Sequence, residues 1–187
     1  MAAMSSKRLQ KELEKVRPNL HPLRHSDADP PCPQLQGTLP PGITLVSAPD
    51  LREWTMDLSI PDNPIYPPHE TYRLRFHFSP SYPIEAPEVT FVPIPPDPQN
   101  PVDANGRSTE RKIPIHPHVY SNGIICLDLL DKQGWSPVHN VESVCISIQS
   151  MLAGNSKAER PPGDAEFVKS NRQTPRNINF LYHDPSV

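Results

Sequence analysis

The sequence lacks any long uninterrupted apolar run. No stretch approaches the ~18 apolar residues needed to span a bilayer, and the first ten residues, MAAMSSKRLQ, do not contain the apolar centre of a secretory signal. We therefore expect neither membrane insertion nor secretion. The predicted location is the cytoplasm, the nucleus or both.

An excess of basic charge is also absent. The chain has 18 basic and 21 acidic residues, which gives a formal net charge of -3. A protein that holds a phosphate backbone needs a positive field over its surface. No nucleic-acid partner is predicted.

Cysteine is scarce, at three residues in 187: Cys32, Cys126 and Cys145. Three thiols cannot all pair within one chain, which favours a reducing compartment and a separate explanation for each. Cys145 lies on an apolar helical stripe and is expected in the core. Cys32 lies in a proline-rich stretch and is interpreted as an incidental exposed thiol.

Proline is the abundant residue, at 27 of 187 positions against an average usage of about 5%. It clusters in two segments, 17–41 and 93–112, which we predict to be extended surface loops. The chain length fits one domain on the usual prior of ~150 residues per domain.

Apolar periodicity predicts the first half of the fold. Residues 7–16 place Leu9, Leu13 and Val16 on one face of an amphipathic helix. Apolar and polar residues then alternate with the period of β-strands, which predicts an antiparallel meander with one solvated face. The four predicted strands lie at 43–45, 52–60, 72–78 and 88–92.

The second half begins with the irregular segment 113–140, where no period is sustained. Helical spacing returns at Val141, with Asn140 as the predicted N-cap and Gly154 as the C-terminal stop. A short helix is predicted near Asp164. The fold class is therefore α+β: an N-terminal helix, a four-stranded antiparallel meander, an irregular active-site segment and covering helices.

Cys126 is the candidate nucleophile, because it follows an Asn122–Gly123 turn and shares the irregular segment with His116 and His118. Three alternatives remain open from the residues alone. In the first, Cys126 is an inert core thiol. In the second, it is a zinc ligand together with His116, His118 and His139. In the third, it is the nucleophile of a Cys-His hydrolase.

Three motifs carry a resemblance to a known family. The run HPHVYSNGIICLDLL at 116–130 and WSPV at 135–138 resemble the active-site signature of ubiquitin-conjugating enzymes, and SYPIEAPEVTF at 81–91 is similar to the family's loop and fourth strand. The family has asparagine where this chain has His118. That H-P-H tripeptide, RPP at 160–162 and YHD at 182–184 resemble the W-type members, which modify substrate N-termini.

The resemblance implies a domain organisation and a mechanism. A catalytic domain would occupy 5–170, with proline-rich insertions at 17–41 and 93–112, and a tail would occupy 171–187. Cys126 would accept ubiquitin as a thioester from an activating enzyme and pass it to an amine. ATP would be consumed by that enzyme, so no cofactor or metal is expected here.

It also implies roles for individual residues. His118 would donate a hydrogen bond to the oxyanion or serve a structural purpose, and His116 would fix the loop. Asn122 is a further candidate in the turn before the cysteine. Asp164 resembles the acidic residue beside the incoming lysine in other members, and it is also a plausible N-cap. The favoured acceptor is the α-amine of a substrate.

The predicted partners are ubiquitin, the activating enzyme, RING-type ligases and protein substrates with accessible N-termini. Docking to the activating enzyme and ligases would use the first helix and two loops. The alternatives to ubiquitin conjugation are conjugation of another ubiquitin-like protein and a non-catalytic binding module. The candidate docking residues are Lys7, Arg8, Lys11, Pro83, Ile84, Ser136 and Pro137.

Overall fold

The computed structural model of the chain describes residues 2–17, 39–104, 106 and 108–178. Most of the first proline-rich segment, Cys32 and the YHD run lie outside these residues. The elements follow in the order that the sequence predicts. They are α1 (Ala2–Val16), β1 (Ile43–Ser47), β2 (Glu53–Leu58), β3 (Tyr72–His77), β4 (Glu88–Phe91), α2 (Val141–Ala153) and α3 (Asp164–Ser170).

The four strands form an antiparallel sheet in the order β1-β2-β3-β4, which confirms the predicted meander. Trp54, Met56 and Leu58 of β2 are fully buried on one face. Charged residues such as Glu53 and Arg75 are exposed, so the opposite face is partly solvated as predicted. The sheet register thus follows from the period-2 pattern.

Helices α1 and α2 contribute their apolar stripes to the same core as the buried face of this sheet. α1 is longer than predicted, since it begins at Ala2 and not at Lys7, but its stripe of Leu9, Leu13 and Val16 is buried in the same cluster as the sheet residues. Helix α2 contributes its own stripe, which includes Cys145 at 0% exposure. The expectation that Cys145 is a core thiol is confirmed.

Both ends of α2 are satisfied by side chains. Asn140 accepts a hydrogen bond from the Ser143 N–H and the Ser143 side chain bonds back to Asn140, so the predicted N-cap is confirmed as a capping box. Gly154 is the C-cap, also as predicted. The Asn63 amide donates to the carbonyls of Leu152, Ala153 and Asn155, which satisfies groups that a helix end leaves unpaired.

The second proline-rich segment lies at the surface, but its base is closed. Ile94 and Arg111 form a β-bridge, and Arg111 also reaches the outer face of the sheet. There Asp57, at 6% exposure, accepts hydrogen bonds from Arg73 at 2.7 and 2.9 Å and from Arg111 at 3.2 Å. The Arg111 guanidinium therefore holds the base of this loop to the strands, while Arg73 binds the same carboxylate from within the sheet.

The segment 113–140 is irregular, as predicted. It contains isolated bridges, turns and one 3₁₀ turn at Asp128–Leu130. A further 3₁₀ turn, Pro175–Asn177, follows α3 and contacts β4. In the described part of the chain, no helix is both long and apolar enough to cross a membrane.

Candidate active site

The H-P-H tripeptide is held by a hydrogen bond within the loop that carries it. The Nδ1 atom of His116 accepts from the backbone N–H of His118 at 2.9 Å, and the His116 side chain is buried. Burial lowers the pKa of His116 to about 4, and the neighbouring His118 adds to that shift. His116 is therefore neutral near pH 7 and can accept this bond at Nδ1.

The turn before the cysteine is attached to the edge of the sheet. The Gly123 carbonyl accepts from Phe91 N–H at 2.9 Å, and Gly123 has φ +87°. A Cβ on this residue would lie 2.0 Å from the Phe91 carbonyl oxygen, so the turn excludes any side chain. The Asn122 side-chain oxygen accepts a hydrogen bond from the Ile124 N–H at 3.2 Å, so this side chain stabilises the turn.

Cys126 follows this turn and pairs with the tripeptide. Its backbone N–H donates to the His118 carbonyl at 2.8 Å, and Val119 forms an antiparallel bridge with Ile125. The residue is half-buried, unlike Cys145. The structure thus brings together the candidate nucleophile and the candidate oxyanion donor that the sequence places eight positions apart.

Arg160 holds the same loop from the other side, which the sequence did not predict. Its Nη1 atom donates to the carbonyls of Pro114 at 2.6 Å and Val119 at 3.0 Å, and its Nη2 atom donates to the Ile113 carbonyl at 3.0 Å. These carbonyls flank the tripeptide on both sides. The planar guanidinium therefore fixes the loop that carries His116 and His118.

Replacing Arg160 by lysine is expected to reduce the thermal midpoint by several degrees and to lower about tenfold the rate of the thioester transfer that the resemblance implies for Cys126. A lysine keeps the charge but cannot place a planar fork of donors on three carbonyls. A buried carbonyl without a donor costs about 1–3 kcal/mol. Single-turnover discharge and thermal denaturation would measure the two effects. Arg172→Lys, on the exposed tail of the described chain, is the matched control and should change neither.

Helix α3 packs against the turn. Asp164 Oδ1 accepts a hydrogen bond from the Ser121 N–H at 2.8 Å, and the Tyr120 and Phe167 rings stack with centroids 3.9 Å apart. The N-cap interpretation of Asp164 is wrong, because Gly163 occupies that position with φ +73° and Asp164 is the first helical residue. Its carboxylate holds the loop across 43 positions of sequence.

Tyr120 lies close to both Asp164 and the candidate nucleophile, Cys126. Burial raises the pKa of Tyr120, and the nearby Cys126 and Asp164 raise it further. The phenol is therefore protonated near pH 7. Tyr120 is a site residue that sequence analysis missed, although it lies between two predicted ones.

The candidate docking residues lie on α1 and two loops. Ile84 is 71% exposed, while Lys7, Lys11 and Pro137 are also exposed. Pro83 follows a cis peptide bond, and its carbonyl accepts from Trp135 Nε1 at 2.8 Å. Ser136 is half-buried. Arg8 differs from its neighbours, because its guanidinium binds Glu12 and the His139 carbonyl within the protein.

Within the described ranges, no group of three or more histidine, cysteine, aspartate or glutamate residues is arranged to hold a metal ion. His139, which the zinc alternative required, lies beside Trp135 with ring centroids 5.6 Å apart.

Comparison with known proteins identifies the class. The family model described as ubiquitin-conjugating enzyme matches residues 29–180, and the chain belongs to this family. A crystal structure of the ubiquitin-conjugating enzyme UbcA1 from Agrocybe aegerita has a TM-score of 0.68 and 36% identity, covering 92% of this chain and 98% of that one. The protein is therefore a transferase of the ubiquitin-conjugation pathway, and the α+β fold is confirmed.

Curated relatives refine this assignment. A probable ubiquitin-conjugating enzyme E2 W from Dictyostelium discoideum is 34% identical over the full length of both chains. A probable E2 W-A from Danio rerio is 37% identical over 80% of this chain and 89% of its own length. These relatives confirm the resemblance to W-type members. Membership of the family implies ubiquitin, an activating enzyme and ligases as general partners.

Proposed function

We propose that this protein carries ubiquitin as a thioester on Cys126 and transfers it to the N-terminal α-amine of a substrate protein. The observation that carries the proposal is the position of Cys126, half-buried and paired through its backbone with the H-P-H loop. Cys145 has no such access, and burial raises its pKa far above the usual range. Of the two described cysteines, Cys126 is the one with the partial exposure that attack on a ubiquitin C-terminus would require.

The chemistry of transfer needs positioning more than a cofactor. The amine attacks the thioester carbonyl, forms the C–N bond and generates an oxyanion. Collapse of this intermediate breaks the C–S bond and releases the Cys126 thiolate, while the attacking nitrogen loses its extra proton to bulk water to give the amide. A thiolate is a good leaving group, so the protein has to orient the amine and stabilise the oxyanion. The backbone of His118 is hydrogen-bonded to that of Cys126, and an imidazole N–H is a suitable donor for that oxyanion.

An α-amine is the acceptor that needs least help from a base. Its pKa is about 7.7–8.0 against about 10.4 for lysine, so near pH 7 its neutral fraction is larger by roughly several hundredfold. Asp164, which resembles the residue beside the lysine in other members, uses Oδ1 to hold Ser121. Because this carboxylate oxygen already binds the loop, an acceptor amine that is partly deprotonated without a base fits the site better than a lysine.

Two matched peptides would test the acceptor. One has a free N-terminus and arginine in place of its lysine; the other has the lysine and an acetylated N-terminus. We expect the charged protein to modify the first peptide at least tenfold faster at pH 7, with mass spectrometry locating ubiquitin on the α-amine. Modification of the acetylated peptide alone would refute the α-amine assignment while leaving the thioester carrier intact.

The charging reaction itself tests the modifier. With the activating enzyme, ATP and ubiquitin, a reductant-sensitive adduct should form and map to Cys126. Parallel reactions with other ubiquitin-like proteins and their own activating enzymes should yield no adduct. An adduct with one of those modifiers, and none with ubiquitin, would reassign the substrate. A protein that accepts neither would be a binding module.

A further inference from the structure

Glu12 is a buried carboxylate at the junction of three segments. It lies on α1 between Leu9 and Leu13 and is 5% exposed. Its Oε1 atom accepts from Arg8 Nε at 2.5 Å and from the Tyr82 hydroxyl at 2.7 Å. Its Oε2 atom accepts from the Val141 N–H at 2.9 Å. One side chain thus contacts its own helix, the loop before Pro83 and the first residue of α2.

Each contact fixes a segment that carries candidate docking residues. Tyr82 directly precedes Pro83 and the exposed Ile84. Val141 begins α2 immediately after the loop that contains Ser136, Pro137 and the 77%-exposed Val138. Arg8 extends the network, because its Nη2 atom donates to the His139 carbonyl of that loop at 2.9 Å.

The charge of Glu12 suits this position for two reasons. The first N–H groups of a helix have no partner within it and carry a partial positive charge, so an anion at Val141 stabilises the start of α2. The guanidinium of Arg8 neutralises the same carboxylate, which a buried charge requires. Without the anion, the Tyr82 hydroxyl, the Val141 N–H and Arg8 would all lose an acceptor.

We propose that Glu12 is the positioning residue of the docking surface, joining α1, the Pro83–Ile84 loop and the 136–138 loop into one preformed face for the activating enzyme and ligases. The proposal rests on the proposed function, since it concerns the partners that charge and discharge Cys126. It also changes the role of Arg8, which acts inside the network, whereas Lys7 and Lys11 extend to solvent and are available to a partner.

The test separates docking from chemistry by using the activating enzyme as the probe. Initial rates of charging at varied concentrations of this protein give KM for docking and kcat for transfer. Glu12→Gln keeps the shape of the side chain but replaces one of its two acceptor oxygens by an NH₂ group. That group would then face a hydrogen-bond donor. We expect KM to rise at least fivefold, kcat to stay within twofold, and ligase-independent discharge of the charged protein to stay unchanged.

Two further variants control for lost stability. Tyr82→Phe keeps the ring packing and removes one hydrogen bond, so KM should rise by a smaller factor of two to three. Ile148→Val, in the core of α2 and outside the network, should leave KM unchanged when all proteins are assayed at a temperature where circular dichroism shows them folded. If Glu12→Gln does not fold, Tyr82→Phe decides the question.

The proposal is overturned if the Glu12 and Tyr82 variants raise KM no more than Ile148→Val does. It is also overturned if kcat and the rate of ligase-independent discharge fall by the same factor by which KM rises. Failure of the proposed function would look different. In that case the unaltered protein would form no adduct at Cys126 with ubiquitin at any concentration.

Discussion

Replacing Cys126 by serine is expected to convert a reductant-sensitive ubiquitin adduct into a reductant-resistant oxyester. The serine hydroxyl keeps the geometry of the nucleophile but makes a poorer leaving group. Discharge to an amine should therefore slow by at least 10²-fold, a barrier increase of about 2.7 kcal/mol. Gel analysis with and without thiol reductant, followed by mild alkali, distinguishes the two bonds. Cys126→Ala should form no adduct at all.

Cys145→Ala is the control for these variants. Cys145 is fully buried in α2, so the substitution should lower the thermal midpoint while leaving the adduct intact. An undiminished reductant-sensitive adduct on Cys126→Ala would contradict the assignment and direct attention to the remaining thiols.

The second large effect is expected at His118. Loss of one donor to an oxyanion typically lowers kcat by about 10²–10³-fold, so His118→Ala should slow discharge to a peptide amine by at least 10²-fold. Charging at Cys126 should persist, because the backbone pairing of residues 118 and 126 does not depend on the side chain. Single-turnover discharge of the preloaded protein measures the effect.

His118→Asn is the informative companion variant. Asparagine presents an N–H donor on a short side chain, as in other members of the family, and should retain at least a tenth of the original discharge rate. Equal losses in the alanine and asparagine variants would show that the ring contributes shape and not a hydrogen bond. An unchanged rate in both would remove His118 from the mechanism.

The regular elements could be predicted because their signals are local. Trp54, Met56 and Leu58 alternate with polar residues, so they determine the face and register of β2 without knowledge of its neighbours. Asn140 and Gly154 are cap residues adjacent to the helix that they end. The motif around Cys126 is likewise contiguous, which is why the sequence alone could place the candidate nucleophile in one segment with His116, His118 and Asn122.

The remaining parts depend on contacts that are distant in sequence. Arg160 reaches carbonyls 41 to 47 positions away, and no residue near it reveals that partnership. Asp164 was misassigned as a plausible N-cap because Gly163, which tolerates positive φ, takes that position. Glu12 did leave a signal: it is an acidic residue three positions after Leu9 on the apolar stripe of α1, where a charge needs a buried partner.

The closed base of the 93–112 loop has a consequence for how this chain tolerates change. The Ile94–Arg111 bridge closes the loop and Asp57 holds Arg111 against the sheet, whereas residues 95–104 and 106 are exposed. Doubling the length of such a loop costs only about 0.6 kcal/mol in closure entropy. An epitope or fluorescent reporter spliced near Asp103 would therefore be carried outside the anchored base, leaving the thiol and its supporting loop undisturbed.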